Sequence, residues 1–101
     1  MAEKVHAMIP EKMEVSIAWF RRDQWDLLRA VSDDAENLEP SYDLWLSFAS
    51  RQVRDLEARG IRVQKVEVEV GALKLWCEGE GRRIDGEARA EFARRGQGRR
   101  L

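Results

Sequence analysis

One cysteine, Cys77, and one histidine, His6, are present in 101 residues. A lone cysteine excludes an internal disulfide and fits a reducing compartment. A single histidine with no cysteine beside it leaves nothing from which to build a zinc site or a Cys–His nucleophile pair. No apolar run approaches the roughly 18 to 20 residues that cross a bilayer, and the polar start Met1-Ala2-Glu3-Lys4 leads into no signal-peptide core, so the chain reads as cytoplasmic. A Pro/Ser-rich linker, a homopolymeric tract and a repeat of about 20 to 50 residues are all missing. Charge of one sign is missing too: 18 Lys+Arg face 19 Asp+Glu, and with 44% hydrophobic residues this excludes a disordered polyelectrolyte. What remains is one globular domain, since two independent cores need more chain.

The order of elements follows from periodicity. Residues 14–20 alternate Val15, Ile17 and Trp19 against Ser16, Ala18 and Phe20, a strand pattern of β-branched and aromatic residues. Asp23 stands at an N-cap position, and Trp25, Leu28 and Val31 form the apolar stripe of a short helix over residues 23–32. A polar loop leads to Pro40, suited to the first position of a second helix. In that helix Tyr42, Trp45, Leu46, Ala49, Val53 and Leu56 share one side, and Leu44 and Phe48 widen the apolar arc, which predicts that its beginning is the more enclosed. Gly60 supplies a left-handed stop, with Ile61 folding back on Leu56.

Residues 61–70 form a second strand with a phase break, Ile61 and Val63 on one parity and Val66, Val68 and Val70 on the other. Two readings are open: Ile61 belongs to the helix cap and both faces are partly buried, or a bulge at Gln64-Lys65 restores the facing. The bulge is preferred. Leu73, Trp76 and Cys77 begin a helix that ends at the glycines of residues 79–81. Ile84 and Asp85 then provide a hydrophobic N′ residue and an N-cap for a last helix with Ala88, Phe92 and Ala93 inward. Residues 96–101 are expected to fray. The fold class is thus α/β or α+β, in the order β-α-α-β-α-α, with a small two- or three-stranded sheet, a helical crossover and about four helices. A crossover makes the two strands parallel if they are neighbours, and two parallel strands alone make a poor sheet. Completion is expected from residues 5–9 as an edge strand or from a second copy of the chain.

Candidate chemistry is thin. Cys77 lies on an apolar stripe and reads as a small buried hydrophobe. Glu67, Glu69, Glu78 and Glu80 lack the ligand spacing of a calcium loop. The segment Gly79-Glu80-Gly81 follows a helix and carries an acid where a phosphate would be repelled. No catalytic, metal or cofactor residue is assigned. Four tryptophans, Trp19, Trp25, Trp45 and Trp76, read first as core. Trp19 and Phe20 point to opposite faces of one strand, so helices on a single face cannot cover both, and these two are the candidate interface residues. Residues 82–101 carry seven Arg against three acids, +4, which leaves −5 for residues 1–81. Arg89, Arg94 and Arg95 on the last helix are the candidate phosphate contacts, although arginine near a helix C-terminus is also expected from the helix dipole.

The segments Ile17-Ala18-Trp19-Phe20, Leu75-Trp76-Cys77 and Asp85-Gly86-Glu87-Ala88-Arg89-Ala90-Glu91-Phe92 resemble short bacterial proteins of about this length to which no activity is assigned. The resemblance spans most of residues 13–95. It implies a compact α/β unit and carries over no catalytic or binding residue. The expected role is a homodimerising or partner-binding module without chemistry of its own. The alternatives are a nucleic-acid-associated protein using its last helix, and an enzyme or ligand-binding domain whose pocket linear spacing does not reveal.

Overall fold

The structure, a computed structural model, describes residues 13–101, so the expected edge strand at residues 5–9 lies outside the described residues. Along the chain come β1 (Glu14–Trp19), α1 (Trp25–Val31), α2 (Tyr42–Ala58), β2 (Arg62–Glu67), α3 (Val70–Glu80), α4 (Gly86–Arg94) and β3 (Arg99–Arg100), with 3-10 turns at Arg22–Gln24 and Ala35–Asn37. The fold is α/β, and its elements follow the expected order with one strand added at the end, giving four α-helices and a three-stranded mixed sheet among the described residues. Strand order is β1-β2-β3; β1 and β2 are parallel, and β2 and β3 are antiparallel.

Helix ends follow local chemistry, with two departures from expectation. The Ser41 hydroxyl accepts from Leu44 N–H at 3.2 Å and caps α2, which leaves Pro40 just outside the helix. Asp23 does not cap α1. The chain passes through a 3-10 turn first, and the Asp23 carboxylate pairs with Arg21 instead, 3.0 Å away. Gln24, at the N-cap position, turns its amide oxygen to the Val70 N–H (2.7 Å) and so ties the start of α1 to the start of α3. Asp85 caps α4 through the Ala88 N–H at 2.9 Å, as expected. Gly60, at φ +83°, ends α2, and the Ile61 N–H returns to the Leu56 carbonyl.

The register of β1 on β2 runs one residue against one from Glu14–Arg62 to Trp19–Glu67, so Gln64-Lys65 forms no bulge. The phase break has the other origin: Ile61 belongs to the cap of α2, and β2 is covered on both faces. Ala18 packs into the cluster that holds Ala88 and Phe92 of α4, whereas its neighbour Trp19 packs on Trp45 of α2, 5.1 Å between ring centroids. Adjacent strand residues face opposite ways, so the sheet is sandwiched, with α4 packed on β1 and α2 packed on β2. The core gathers Phe20, Trp25, Leu28, Val68, Leu73, Cys77 and Phe92.

The third strand comes from the tail expected to fray. Gly96, at φ +71°, reverses the chain after α4. The Leu101 N–H then reaches the Lys65 carbonyl at 3.0 Å, and the Gln64 side-chain amide donates to the Leu101 carbonyl at 3.2 Å. The approach requires a glycine at position 98, where a Cβ would lie 2.5 Å from the Glu67 carbonyl oxygen and 2.7 Å from Val66 Cγ1. Gly98→Ala is therefore expected to detach β3 and to cost about 1–3 kcal/mol in urea unfolding, with faster amide exchange at Leu101 and Arg99. An unchanged midpoint would show that the tail contributes nothing.

Candidate functional site

The phase of hydrogen bonding along β1 defines an edge that is unpaired among the described residues. The Met13 carbonyl accepts from the Arg62 N–H and the Trp19 carbonyl from the Val68 N–H, both at 2.9 Å. A residue in a parallel strand turns its N–H and C=O to one side and the next residue turns them to the other. Odd-numbered residues therefore bond β2, and Glu14, Ser16 and Ala18 direct their backbone groups away from it. Among the described residues nothing takes those groups. Only at the end of this edge is the next outward carbonyl satisfied, that of Phe20, which accepts from the Tyr42 hydroxyl at 2.9 Å.

The edge is recessed. A cavity of about 380 Å³ lies along it, floored by Ser16, Ile17, Ala18 and Phe20. Trp45 and Gln52 of α2 form one wall, Gly86, Arg89 and Ala90 of α4 the other, and Asn37, Leu38 and Glu39 close one end. Because both faces of β1 contribute to the floor, the groove straddles the strand edge. Phe48 follows Trp45 by three residues and precedes Gln52 by four, which on a helix extends the α2 wall outward. Leu44 and Phe48 are 41% and 46% exposed, so this part of α2 is not the enclosed end that its apolar arc predicts. The sheet is covered by Trp45, Ala49 and Val53, and the extra apolar positions fall outside that contact.

A buried ion pair holds the closed end in place. Arg89 donates twice to Asp34, 2.8 and 2.9 Å, and once to the Ser32 hydroxyl at 3.2 Å. The Asp34 carboxylate also accepts from the Gly86 N–H at 3.0 Å. Beside it, Asp33 and Ile84 exchange a backbone bond, and the Ile84 N–H bonds the Asp33 carboxylate, both at 2.8 Å. The loop from α1 to α2 is thereby fastened to the start of α4. The hydrogen bonds from Arg89, helped by its charge and opposed by burial, hold the Asp34 carboxyl below the usual aspartate range.

The residues singled out from sequence lie in unlike surroundings. Phe20 is 4% exposed and sits in the core against Trp25 and Trp45. Trp19 is half-buried between Trp45 and the Lys65 ammonium, which lies 4.4 Å from the ring centroid. Helices on both faces, and Trp45 at the end of the strand reaching both rings, cover what a single layer would leave open. Arg89 is buried and held by Asp34. Arg94 and Arg95 are exposed, but both lie beside Glu91, at 3.7 and 3.5 Å, which also takes Arg82 at 2.9 Å. Burial pushes the Cys77 thiol up, away from the reactive thiolate. Of the acids weighed for a cation, Glu67 pairs with Arg21 and Glu69 caps α3. Among the described residues no three His, Cys, Asp or Glu side chains gather as metal ligands, and no helix is long and apolar enough to cross a membrane.

The groove residues Glu39 and Gln52, and the Asp34 latch, were missed by sequence reasoning. The one signal that pointed to them is the apolar arc of α2, wider than a single packing face needs. Comparison with protein-family models, with curated proteins and with solved structures finds no match.

Arg89→Met is expected to strand the Asp34 charge and to lower stability by about 3–5 kcal/mol, whereas Arg89→Met with Asp34→Leu recovers most of the loss. The folded Asp34 carboxyl binds its proton more weakly than the unfolded one, so the contribution of its charge is complete above the ordinary aspartate value of about 3.9 and fades as pH falls below it. Urea midpoints of the natural protein and of Asp34→Asn should therefore converge as the buffer is taken from pH 6 towards pH 3. A gap that stays constant would remove the ion pair from the account.

Proposed function

We propose that this protein is a partner-binding module that takes up an extended segment of another polypeptide as a fourth strand on β1. The observation that carries the reading is the recessed edge, where the outward residues Ser16 and Ala18 of β1 offer backbone donors and acceptors inside a groove with an apolar wall, and Glu14 continues the edge beyond it. Strand addition uses such an edge, the main chain supplying affinity and flanking pockets supplying selectivity. An edge left open is also a hazard that proteins cover, charge or shorten. Ser16 and Ala18 do none of these.

A second copy of the chain suits this edge less well than a lone segment. Strands pair about 4.7–4.9 Å apart, and α4 lies against β1. Antiparallel pairing of β1 with β1 would bring the two α4 helices about one strand spacing apart, while packed helices need about 8–10 Å. A peptide brings no helix with it. Phosphate recognition has less support, because Arg89 is buried in its ion pair and Arg94 and Arg95 share Glu91. Acid–base chemistry has less support as well, because the groove lining holds one carboxylate, Glu39, and an arginine already engaged by Asp34.

The test is titration of ¹⁵N-labelled protein with a synthetic octapeptide of alternating threonine and valine. The amides of Glu14, Ser16 and Ala18 and the Trp45 indole are expected to shift, and Ser16→Pro should abolish the response. The Ser16 N–H makes no bond to β2, so proline at this edge position is compatible with the fold, which circular dichroism checks. Absence of any shift at millimolar peptide, or protection of the same amides by dimerisation in sedimentation, would overturn the reading.

A further inference from the structure

Resting on the strand-addition reading, we infer that the segment this groove accepts carries a large apolar residue toward α2 and a basic residue where it passes Glu39. The two walls differ in a way that an added strand would sense, because its successive side chains turn to opposite faces of the sheet. Toward α4 they meet Gly86, Ala90 and the neutralised Arg89–Asp34 pair, a wall of small residues without free charge. Toward α2 they meet Trp45, with Phe48 exposed beyond it. Covering that exposed ring removes apolar surface from water, which favours an aromatic or long aliphatic side chain at this register.

Charge sets the other requirement. Two charged residues line the groove, and Arg89 is cancelled by Asp34. Glu39 is half-buried, and among the described residues no cation pairs with it. Glu14, at the other end of the edge, adds a second carboxylate with no such partner among the described residues. An acidic segment would bring like charge into a partly enclosed site, and a basic residue at the Glu39 end relieves it. The position is fixed by topology: the crossover runs α2 opposite to β1, so Tyr42 and Trp45 stand near Phe20 and Trp19, and Gln52 stands nearer Ile17. Glu39 therefore lies at the Phe20 end, with Phe48 between Trp45 and Gln52, and the basic and apolar residues of the segment sit in that order along the groove.

Fluorescence anisotropy with three labelled octapeptides tests this. They are Thr-Lys-Thr-Phe-Thr-Val-Thr-Val, the same peptide with Lys→Glu, and the same peptide with Phe→Ser. The lysine peptide is expected to bind about threefold tighter than the glutamate peptide, and Glu39→Gln should erase that preference. Phe→Ser should weaken binding about tenfold, and the penalty should shrink in Phe48→Ser. Reversing the peptide sequence shows which strand direction is used. Equal binding of all three peptides, with Glu14, Ser16 and Ala18 amides still shifting, would overturn this inference and leave strand addition standing. No binding by any of them, with those amides unmoved, would overturn strand addition itself.

Discussion

Trp45 is the contact on which the arrangement turns. Its indole stacks on Trp25 at 5.4 Å and meets Trp19, Phe20 and Tyr42 at 5.1 to 5.6 Å, so one residue of α2 joins the end of β1 to α1. Each aromatic pair contributes about 0.5–1.5 kcal/mol beyond the area it buries, and a domain of this size is stable by only about 5–15 kcal/mol. Such a cluster fixes both the height and the rotation of α2 over the sheet. With Trp45 inward, Ala49 and Val53 are buried, and Leu44 and Phe48 are left exposed. The exposed apolar wall is thus a consequence of how the core is packed.

The Arg89–Asp34 pair has a different part. Burying two charges is costly, and the attraction between them about offsets that cost, so a pair of this kind is weak evidence for stability. Its contribution is geometric. The bidentate contact, Ser32 and the Gly86 N–H leave the loop between α1 and α2 a single seat against α4. Asn37, Leu38 and Glu39 are held at the end of the groove by that seat. An arginine that composition places among phosphate-binding candidates serves here to shape a wall.

The two edges of the sheet are treated unlike one another. On the far side β3 is only two residues long and both are arginines, a short and charged edge of the kind that discourages pairing. On the near side β1 is six residues long, with Ser16 and Ala18 outward and small, and with helices raised on both flanks. One edge is short and charged; the other is longer, recessed, and without a paired strand among the described residues.

Periods of 2 and 3.6 in the sequence were enough to order β1, four helices and β2, because each of these elements buries a stripe that its own spacing reveals. Caps at Asp85 and the glycine stop at Gly60 were legible for the same reason: their chemistry is local. Tertiary structure alone decided the rest. The tail at Arg99–Arg100 pairs through its backbone and carries no strand pattern. Arg89 and Asp34 are 55 residues apart, and their meeting depends on how a loop and a helix dock. Whether Phe48 is core or exposed turns on a rotation of α2 set by Trp45. The groove lies where strand order leaves β1 outermost among the described strands, and strand order is a property of the assembled chain that no residue spacing encodes.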